Sequence, residues 1–228
     1  MKIYLHEAMR TVPGKEEPYM ASVLGITQRP GRGDREDHQQ LGLFRTAETS
    51  GRWPEGVNIW EHSWESQARA LSIQFGDTQR DTNMEDWWQR NLHLRRGGYD
   101  RLLVPTAYTR DAAGLQADGV AGRVFLQEIL WLPFGEAPGY LEALEQRFLP
   151  VSRRYGWQLV GAYRVAMRPR QVLTLFAFRE WSEMSDLLAA RASDPKLLEW
   201  FAYRDALVEK VEELVLLPGR LNPLGIRD

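Results

Sequence analysis

The chain has 228 residues, a net charge of -2 and no cysteine. This length suits one large or two small domains, and the near-neutral charge gives no electrostatic basis for binding nucleic acid. The absence of cysteine excludes disulfides, thiolate metal sites and a cysteine nucleophile, and it fits the reducing cytoplasm. No apolar run reaches the length of a membrane span and no export signal opens the chain, so we expect a cytoplasmic protein.

The elements of the first half follow from hydrophobic periodicity and from glycine and proline breaks. Alternating or β-branched runs predict strands at residues 2–12, 40–47, 57–63 and 102–105. Apolar residues at helical spacing predict helices at residues 15–27, 64–75 and 84–96. Pro13-Gly14 separates the first strand from the first helix, and Gly97-Gly98 is the expected end of the last helix.

The second half of the chain repeats the first. Identities in the opening stretch recur after 121 positions, as Leu5/Leu126, Glu7/Glu128, Gly14/Gly135 and Tyr19/Tyr140. Further pairs follow at offsets that fall to 113, namely Gly42/Gly161, Arg45/Arg164, Trp64/Trp181, Trp87/Trp200 and Pro105/Pro218. A repeat of about a hundred residues has the size of a domain, so we interpret it as a domain duplication.

Each half has the order β-α-β-β-α-β with an additional helix, which is the ferredoxin-like order. One face of such a sheet has no helices and must be covered, so we expect the two sheets to face each other and close a barrel. The predicted fold class is α+β, with two tandem ferredoxin-like domains packed sheet to sheet. The boundaries are 1–106 for the first domain, 107–121 for a linker, 122–218 for the second domain and 219–228 for an extended tail. The linker also permits a swapped dimer, so a homo-oligomer stays open.

Several motifs resemble those of NIPSNAP-like members of the dimeric α/β-barrel superfamily. They are the strand–Pro13-Gly14-Lys15–helix opening, a Gly-x-Phe/Tyr-Arg second strand, and an Ile-Trp-Glu-His run before a tryptophan-led helix. A tryptophan-containing helix followed by a Leu-Val-Pro strand completes each copy. The resemblance covers nearly the whole chain, twice. It implies a small-molecule pocket between the sheets, and the superfamily includes cofactor-free monooxygenases, cyclases, isomerases and haem-binding enzymes.

The alternation of side chains along each strand predicts which residues line the pocket. We expect Ile3, Leu5 and Ile59 to face the helices. The opposite set, which would line the barrel, is Tyr4, His6, Asn58, Trp60 and His62, with Phe125, Gln127, Ala177 and Arg179 at the repeated positions. Trp60 and the non-recurring Trp131 are candidates for ligand contact. His6 and His62 are candidate general bases, or alternatively hydrogen-bonded lining residues.

The duplicated Glu7 and Glu128 are predicted to be structural and to bond the duplicated Arg45 and Arg164. No metal-ligand spacing, P-loop or nucleotide fingerprint occurs, so no cofactor is predicted, although haem stays an alternative.

Two functional hypotheses follow. The first is a cofactor-free enzyme of the monooxygenase, cyclase or isomerase type that binds a small apolar or aromatic metabolite and uses a histidine base. The second is a non-catalytic ligand-binding or protein-interaction module.

Overall fold

Eight antiparallel strands form one closed barrel in the computed structural model, which describes residues 1–27, 37–75 and 82–226. The strands are β1 (Lys2–Thr11), β2 (Gln39–Thr46), β3 (Glu55–Ser63), β4 (Arg95–Pro105), β5 (Val124–Trp131), β6 (Gln158–Val165), β7 (Gln171–Phe178) and β8 (Lys210–Pro218). The α+β class and the barrel predicted from the sequence are confirmed.

Helices connect the strands and cover the outside of the barrel. They are α1 (Glu16–Thr27), α2 (Trp64–Phe75), α3 (Thr82–Arg90), α4 (Ala112–Ala117), α5 (Ala137–Ala143), α6 (Leu149–Ser152), α7 (Trp181–Ala190) and α8 (Pro195–Leu207). A π-helical turn at Leu144–Phe148 joins α5 to α6. Within the described residues, no helix has both the length and the apolar character that a bilayer crossing requires.

The two halves share the barrel through strand pairs that cross between them. The order around the barrel is β1-β3-β2-β8-β5-β7-β6-β4, and β4 returns to β1. In one junction Phe44 of β2 is paired with Pro218 of β8. In the other junction Leu103 of β4 is paired with Val165 of β6. The barrel therefore closes within a single chain and needs no exchange of halves with a second one.

Strand direction gives the barrel two distinct ends. Because all neighbours are antiparallel, β1 and β5 lie four steps apart around the ring and run in the same direction. We call the end where β1 and β5 finish, at Thr11 and Trp131, the mouth. The other end is covered by α4, whose Leu115 is fully buried in the barrel interior. Access from solvent to the interior is therefore expected from the mouth.

Apolar side chains pack in three layers. The interior layer contains residues from both halves, including Tyr4, Phe44, Val57, Ile59, Leu103, Phe125, Ile129, Tyr163, Leu173, Leu175, Leu214 and Leu216. A second layer lies between the first sheet and its helices, and includes Tyr19, Met20, Val23, Trp60 and Trp87. A third layer under the second set of helices includes Tyr140, Phe148, Trp157, Phe176 and Trp200. The interior is filled by side chains rather than left as a channel.

Three predicted segments differ in the structure. The last strand of the first half is Arg95–Pro105, much longer than predicted, and Gly97-Gly98 lies inside it rather than ending a helix. A Cβ on Gly98 would collide with the backbone of Ala8 and Met9, next to a register shift in β1, so the glycine permits close strand approach.

The segment predicted as a linker contains α4, and the predicted tail is packed against the barrel. Asn222 is buried and donates to the carbonyl of Leu43, and Leu224 joins the interior layer. Gly225 forms a bridge with Gly122. Both connecting segments therefore contribute to the core. The domain boundaries at 106 and 122 stay predictions.

The repeated Gly-x-aromatic motif has a steric origin. Gly42 and Gly161 each lie at a register shift between the second and third strands of their half. A Cβ added to Gly42 would overlap the ring of Phe44, and one added to Gly161 would overlap the ring of Tyr163. Each buried ring thus lies over the glycine two residues before it, which explains why the pair of residues recurs in both copies.

We predict that Gly161→Ala destabilises the protein by about 2 kcal/mol or more, because Tyr163 is fully buried and its ring must leave its place. Gly139→Ala is the matched control: this glycine lies in α5 with no atom within 4 Å of an added Cβ. The control should be neutral or stabilising by up to about 1 kcal/mol. Urea unfolding of both variants measures the difference, and equal stabilities would contradict the steric explanation.

Candidate functional site

The first strand presents its side chains as predicted. Tyr4 and His6 face the barrel interior, whereas Leu5 packs in the layer under the helices. His6 is fully buried and is paired with Ile59 on the neighbouring strand β3. Residues directly opposite each other in an antiparallel pair share a face, so Ile59 is also inside the barrel. Its expected position under the helices is wrong.

The third strand is therefore reversed relative to the prediction for Asn58, Trp60 and His62. Trp60 is paired with Leu5 and packs among the helix-facing side chains, and Asn58 donates to the hydroxyl of Tyr19 on α1. His62 is on the same face, where its ring stacks on that of His38 with 4.3 Å between centroids.

The orientation of β3 was predicted by placing its aliphatic residues under the helices, although both faces of the strand are buried. The repeat match added a second error. Matching Trp64 to Trp181 assigned Ala177 to the place of Trp60. In the second half, however, Leu126 is paired with Phe176, so Phe176 is the true counterpart of Trp60. The second copy has one additional residue between its third strand and the following helix. Since a one-residue slip turns every side chain to the other face, the helix match equated Ala177, which lies in the barrel interior, with Trp60, which lies under the helices.

At the centre of the barrel His6 contacts its own counterpart from the repeat. Its Nε2 lies 2.7 Å from Oε1 of Gln127, 121 residues further along the chain. An amide oxygen only accepts, so this contact assigns the proton to Nε2 and leaves Nδ1 with the lone pair. Burial, reinforced by the charge of Arg101, lowers the pKa of His6 to about 4. The ring is therefore neutral at physiological pH, with Nδ1 able to accept a proton.

Two aromatic pairs near His6 are also related to each other by the repeat. Tyr4 lies 5.0 Å from Tyr163, and Phe125 lies 4.8 Å from Phe44, measured between ring centroids. Phe125 and Phe44 are the repeat counterparts of Tyr4 and Tyr163, so the two contacts are equivalent. The Tyr4 hydroxyl donates to Glu61, which also accepts from Lys2 and from the first backbone N–H of α4. This network belongs to the covered end of the barrel.

Toward the mouth the interior becomes charged, through residues that sequence reasoning missed. Arg101 is paired with His6 and Tyr99 with Ala8, so both side chains face inward from β4. The guanidinium of Arg101 lies 4.5 Å from the centroid of the Tyr99 ring. The alternation Tyr99-x-Arg101-x-Leu103 could have predicted that these side chains share the inward face, but the predicted strand began only at residue 102.

The mouth contains a cavity of about 610 Å³. Its walls come from the ends of β1 and β4 and from the turn between β2 and β3. Trp53 and Tyr99 give it aromatic walls, and Arg10, Arg52 and Arg96 give it positive charge. Glu55 gives the cavity wall a carboxylate, and burial raises the pKa of this group. The volume is typical of a site for a small organic ligand.

Two remaining candidates lie away from this cavity. Trp131 is partly buried at the mouth end of β5, where Nζ of Lys210 lies 4.5 Å from its ring centroid. Arg179 is exposed and donates to the carbonyl of Gly119, near the covered end. The structure thus brings together Tyr4, His6, Phe125 and Gln127 inside the barrel. It does not bring Arg179, His62, Trp60 or Asn58 to them.

A metal or haem site has no support in the described residues. No group of three or more histidine, cysteine, aspartate or glutamate side chains in that part of the chain has the arrangement to hold a metal ion. The cavity walls include no histidine, cysteine or methionine, and the hydroxyl of Tyr99 is bonded to Arg52. These are the side chains that usually bind haem iron, so the residues present do not fit haem.

The two duplicated glutamates have different partners. Glu128 forms a buried ion pair, whereas in the described part of the chain Glu7 accepts hydrogen bonds from neutral side chains only. Glu128 is buried, accepts from Thr174, and lies 3.1 Å from Nη1 of Arg204. Glu7 accepts from the indole of Trp60 at 2.7 Å and weakly from Asn58. The predicted partners Arg45 and Arg164 are exposed on the barrel surface, because each follows an inward-facing aromatic residue in its strand. That pairing was wrong.

A single substitution between the copies explains the difference. Arg204 stands four residues after Trp200, and Asn91 stands four residues after the matching Trp87. Arg204 bridges Glu128 and its strand neighbour Glu213, whereas the Asn91 amide bonds the carbonyl of Trp87.

In the first half the strand neighbour of Glu7 is Asp100, so two carboxylates meet without that bridging arginine. Burial, followed by the charge of Asp100, raises the pKa of Glu7 to about 7. Arg95, whose guanidinium lies over the rings of Trp87 and Trp88, opposes this rise.

We predict a pH-dependent stability difference between the protein and its Glu7→Gln variant. A carboxyl whose pKa is raised from 4.5 to about 7 on folding stabilises the fold below pH 4.5 and loses that stabilisation as pH rises through 7. The variant should therefore gain stability relative to the parent between pH 5 and 8, by a value on the order of 2–3 kcal/mol. Urea unfolding at several pH values measures it.

Glu128→Gln is the comparison for this experiment. It removes the partner of the buried Arg204, so it should destabilise the protein at every pH in this range. A difference between parent and Glu7→Gln that does not change from pH 5 to 8 would contradict the interpretation of Glu7.

Comparison with known proteins identifies the fold. No protein-family model matches the sequence, and no curated protein matches it significantly. A Fusobacterium nucleatum protein described as a "putative monooxygenase" aligns with 97% of this chain and 96% of its own, at a TM-score of 0.63 and 9% identity. An anthrone oxidase-like protein aligns with 95% of this chain and 91% of its own, at a TM-score of 0.68 and 9% identity.

The chain has the dimeric α/β-barrel fold, closed within one polypeptide. NIPSNAP family proteins are also among the similar structures, as the sequence motifs predicted. One of them, from Agrobacterium tumefaciens, aligns with 45% of this chain and 94% of its own, at 22% identity and a TM-score of 0.41. At these identities the likenesses describe the fold and not the reaction.

Proposed function

We propose that this protein binds a small apolar or aromatic metabolite at the barrel mouth and acts on it as a cofactor-free enzyme with His6 as the base. The reaction is of the monooxygenase, cyclase or isomerase type, in the cytoplasm. The proposal includes an origin by duplication, with residues 1–106 and 122–218 as two ferredoxin-like halves joined sheet to sheet.

The observation that carries the proposal is the state of His6. It is the histidine that faces the barrel interior in the described residues, and its tautomer is set by Gln127. Its Nδ1 is buried without a hydrogen-bond partner among the described atoms. A neutral imidazole with one nitrogen held and the other unused is the arrangement that a general base requires.

The surroundings favour an acidic substrate. Burial and Arg101 make the imidazolium unfavourable, so His6 is a weak base and can abstract only a proton from an acidic C–H or O–H group. Aromatic ketones and phenols have such groups, and the aromatic cavity walls suit them. Two structural neighbours are described as a "putative monooxygenase" and a third as anthrone oxidase-like, which supports the same chemistry.

Anthrone itself is the test substrate. Base removes a proton from its methylene carbon, and the carbanion reacts with O₂ to give anthraquinone and water, so no cofactor is consumed. We predict enzymatic oxygen uptake and anthraquinone formation by the parent protein. His6→Gln should lower kcat by about 10²–10⁴-fold and leave folding intact, since Gln127 already occupies the equivalent position in the second half.

The matched control is His93→Gln, which makes the same change at an exposed histidine. It should leave kcat unchanged. Unaltered kcat in the His6→Gln protein would contradict the base assignment.

The pH profile gives an independent readout. Because the pKa of His6 is lowered to about 4, the base is unprotonated above that value and becomes protonated as pH falls through it. We predict a steady kcat/KM from pH 5 to 8 and a decline centred near pH 4, because kcat/KM reports the groups of the free enzyme. A decline centred near pH 6.5, the ordinary value for histidine, would contradict a base with the lowered pKa of His6.

A second candidate function is ligand binding without catalysis. It is favoured by the complete burial of His6, which is not among the residues on the cavity wall. In that case anthrone or a related compound should bind, and oxygen uptake should not exceed that of the buffer.

A further inference from the structure

Arg101 is a buried cation that forms no ion pair within the described part of the chain. Its side chain is 5% exposed, and its Nε and Nη1 atoms have no hydrogen-bond partner among the described residues. A buried guanidinium normally has a carboxylate or several acceptors, because removing its charge from water costs several kcal/mol. Its principal contact is the ring of Tyr99, a cation–π interaction that satisfies none of its N–H groups.

The fold does not need a charge at this position. Arg101 is paired with His6, and in the second half Leu214 is paired with Gln127, the counterpart of His6. Leu214 is therefore the counterpart of Arg101 in an equivalent backbone environment. It is buried in the interior layer like its neighbours. The arginine consequently adds a desolvated charge that an apolar residue avoids, and such a cost indicates a ligand-binding role rather than a structural one.

The side chain of Arg101 is directed toward the cavity. Tyr99 lies two residues nearer the mouth on the same face of β4, and the guanidinium lies over its ring. Tyr99 is also part of the cavity wall, as is Glu55, whose Oε1 is buried without a hydrogen-bond partner. Glu55 lies 3.9 Å from Arg52, and no ion pair within 4 Å joins it to Arg101 among the described residues. The charge of Arg101 acts on Glu55 only from a greater distance, so Arg101 has no direct ion-pair partner next to the ligand space.

We propose that Arg101 selects anionic aromatic ligands, and that it does so by attracting a carboxylate, phenolate or enolate oxygen to the inner end of the mouth cavity. The aromatic body of the ligand lies against Trp53 and Tyr99. This inference rests on the proposed function, because it names the ligand class of the same site. Arg10 and Arg96 on the cavity wall are exposed, so they attract anions from solution, but their hydration makes them weak discriminators.

Binding of two probes that differ in charge tests the proposal. 2-Naphthoate and 2-naphthamide have the same ring system, and only the first carries a negative charge at pH 7. Titration calorimetry with the parent protein should give a Kd for 2-naphthoate at least about tenfold lower than for 2-naphthamide.

Arg101→Leu installs the residue of the second half. It should weaken 2-naphthoate binding by about tenfold or more and leave 2-naphthamide binding unchanged. Arg45→Leu is the matched control, since it makes the same change at an exposed strand position, and it should alter neither affinity. Arg101→Lys keeps the charge and should retain most of the preference for 2-naphthoate.

Stability without ligand separates this role from a structural one. Removal of a buried charge that has no direct ion pair should raise the Tm of Arg101→Leu by about 3 °C or more, whereas loss of a structural arginine would lower it. A lower Tm, or an unchanged affinity of Arg101→Leu for 2-naphthoate, would overturn the inference.

The probes also separate this inference from the proposed function. If the parent binds 2-naphthamide as tightly as 2-naphthoate, a ligand site exists and the role of Arg101 is wrong. If neither probe binds, both the aromatic ligand site and the selection by Arg101 are wrong.

Discussion

Strand pairing between the two halves is the constraint on which the rest of the structure depends. The β2–β8 and β4–β6 junctions join two four-stranded sheets, neither of which could cover its own inner face. Closure places β1 and β5 on opposite sides of one interior and pointing in the same direction. Equivalent residues of the two copies therefore meet near the barrel axis, which is why His6 contacts Gln127 across 121 residues of sequence.

Contact between equivalent residues makes differences between the copies chemically significant. Histidine at both positions would bring two imidazoles together, each competing for the same proton. With glutamine on one side, the His6 tautomer is fixed and only one titrating ring remains. The same reasoning applies to the residue paired with His6 on the neighbouring strand, where the second copy has Leu214 in place of Arg101. The two ionisable side chains at this level of the interior, His6 and Arg101, thus belong to one half, and the uncharged Gln127 and Leu214 stand opposite them in the other.

The sequence predicted the barrel because the repeat indicates the same fold twice. It predicted the inward direction of Tyr4 and His6 because β1 follows the alternation without interruption up to Met9. It failed for β3, where both faces are buried: Ile59 lies in the interior and Trp60 lies under the helices. A strand that is buried on both sides has no polar face to orient it, so only the pairing register decides. Arg101 was missed for a related reason, since two glycines concealed the start of its strand.

On the helix-facing side of the sheets, the second copy, and not the first, has the additional arginine. The second half neutralises its paired carboxylates with Arg204, whereas the first half leaves Glu7 next to Asp100 with a raised pKa. Within the described residues, the third hydrophobic layer, under the helices of the second half, is also larger than the second. We therefore interpret the second copy as the more stable part of the barrel. The first copy then tolerates the unfavourable burial of His6 and Arg101 because it shares β2–β8 and β4–β6 pairing with a more stable partner.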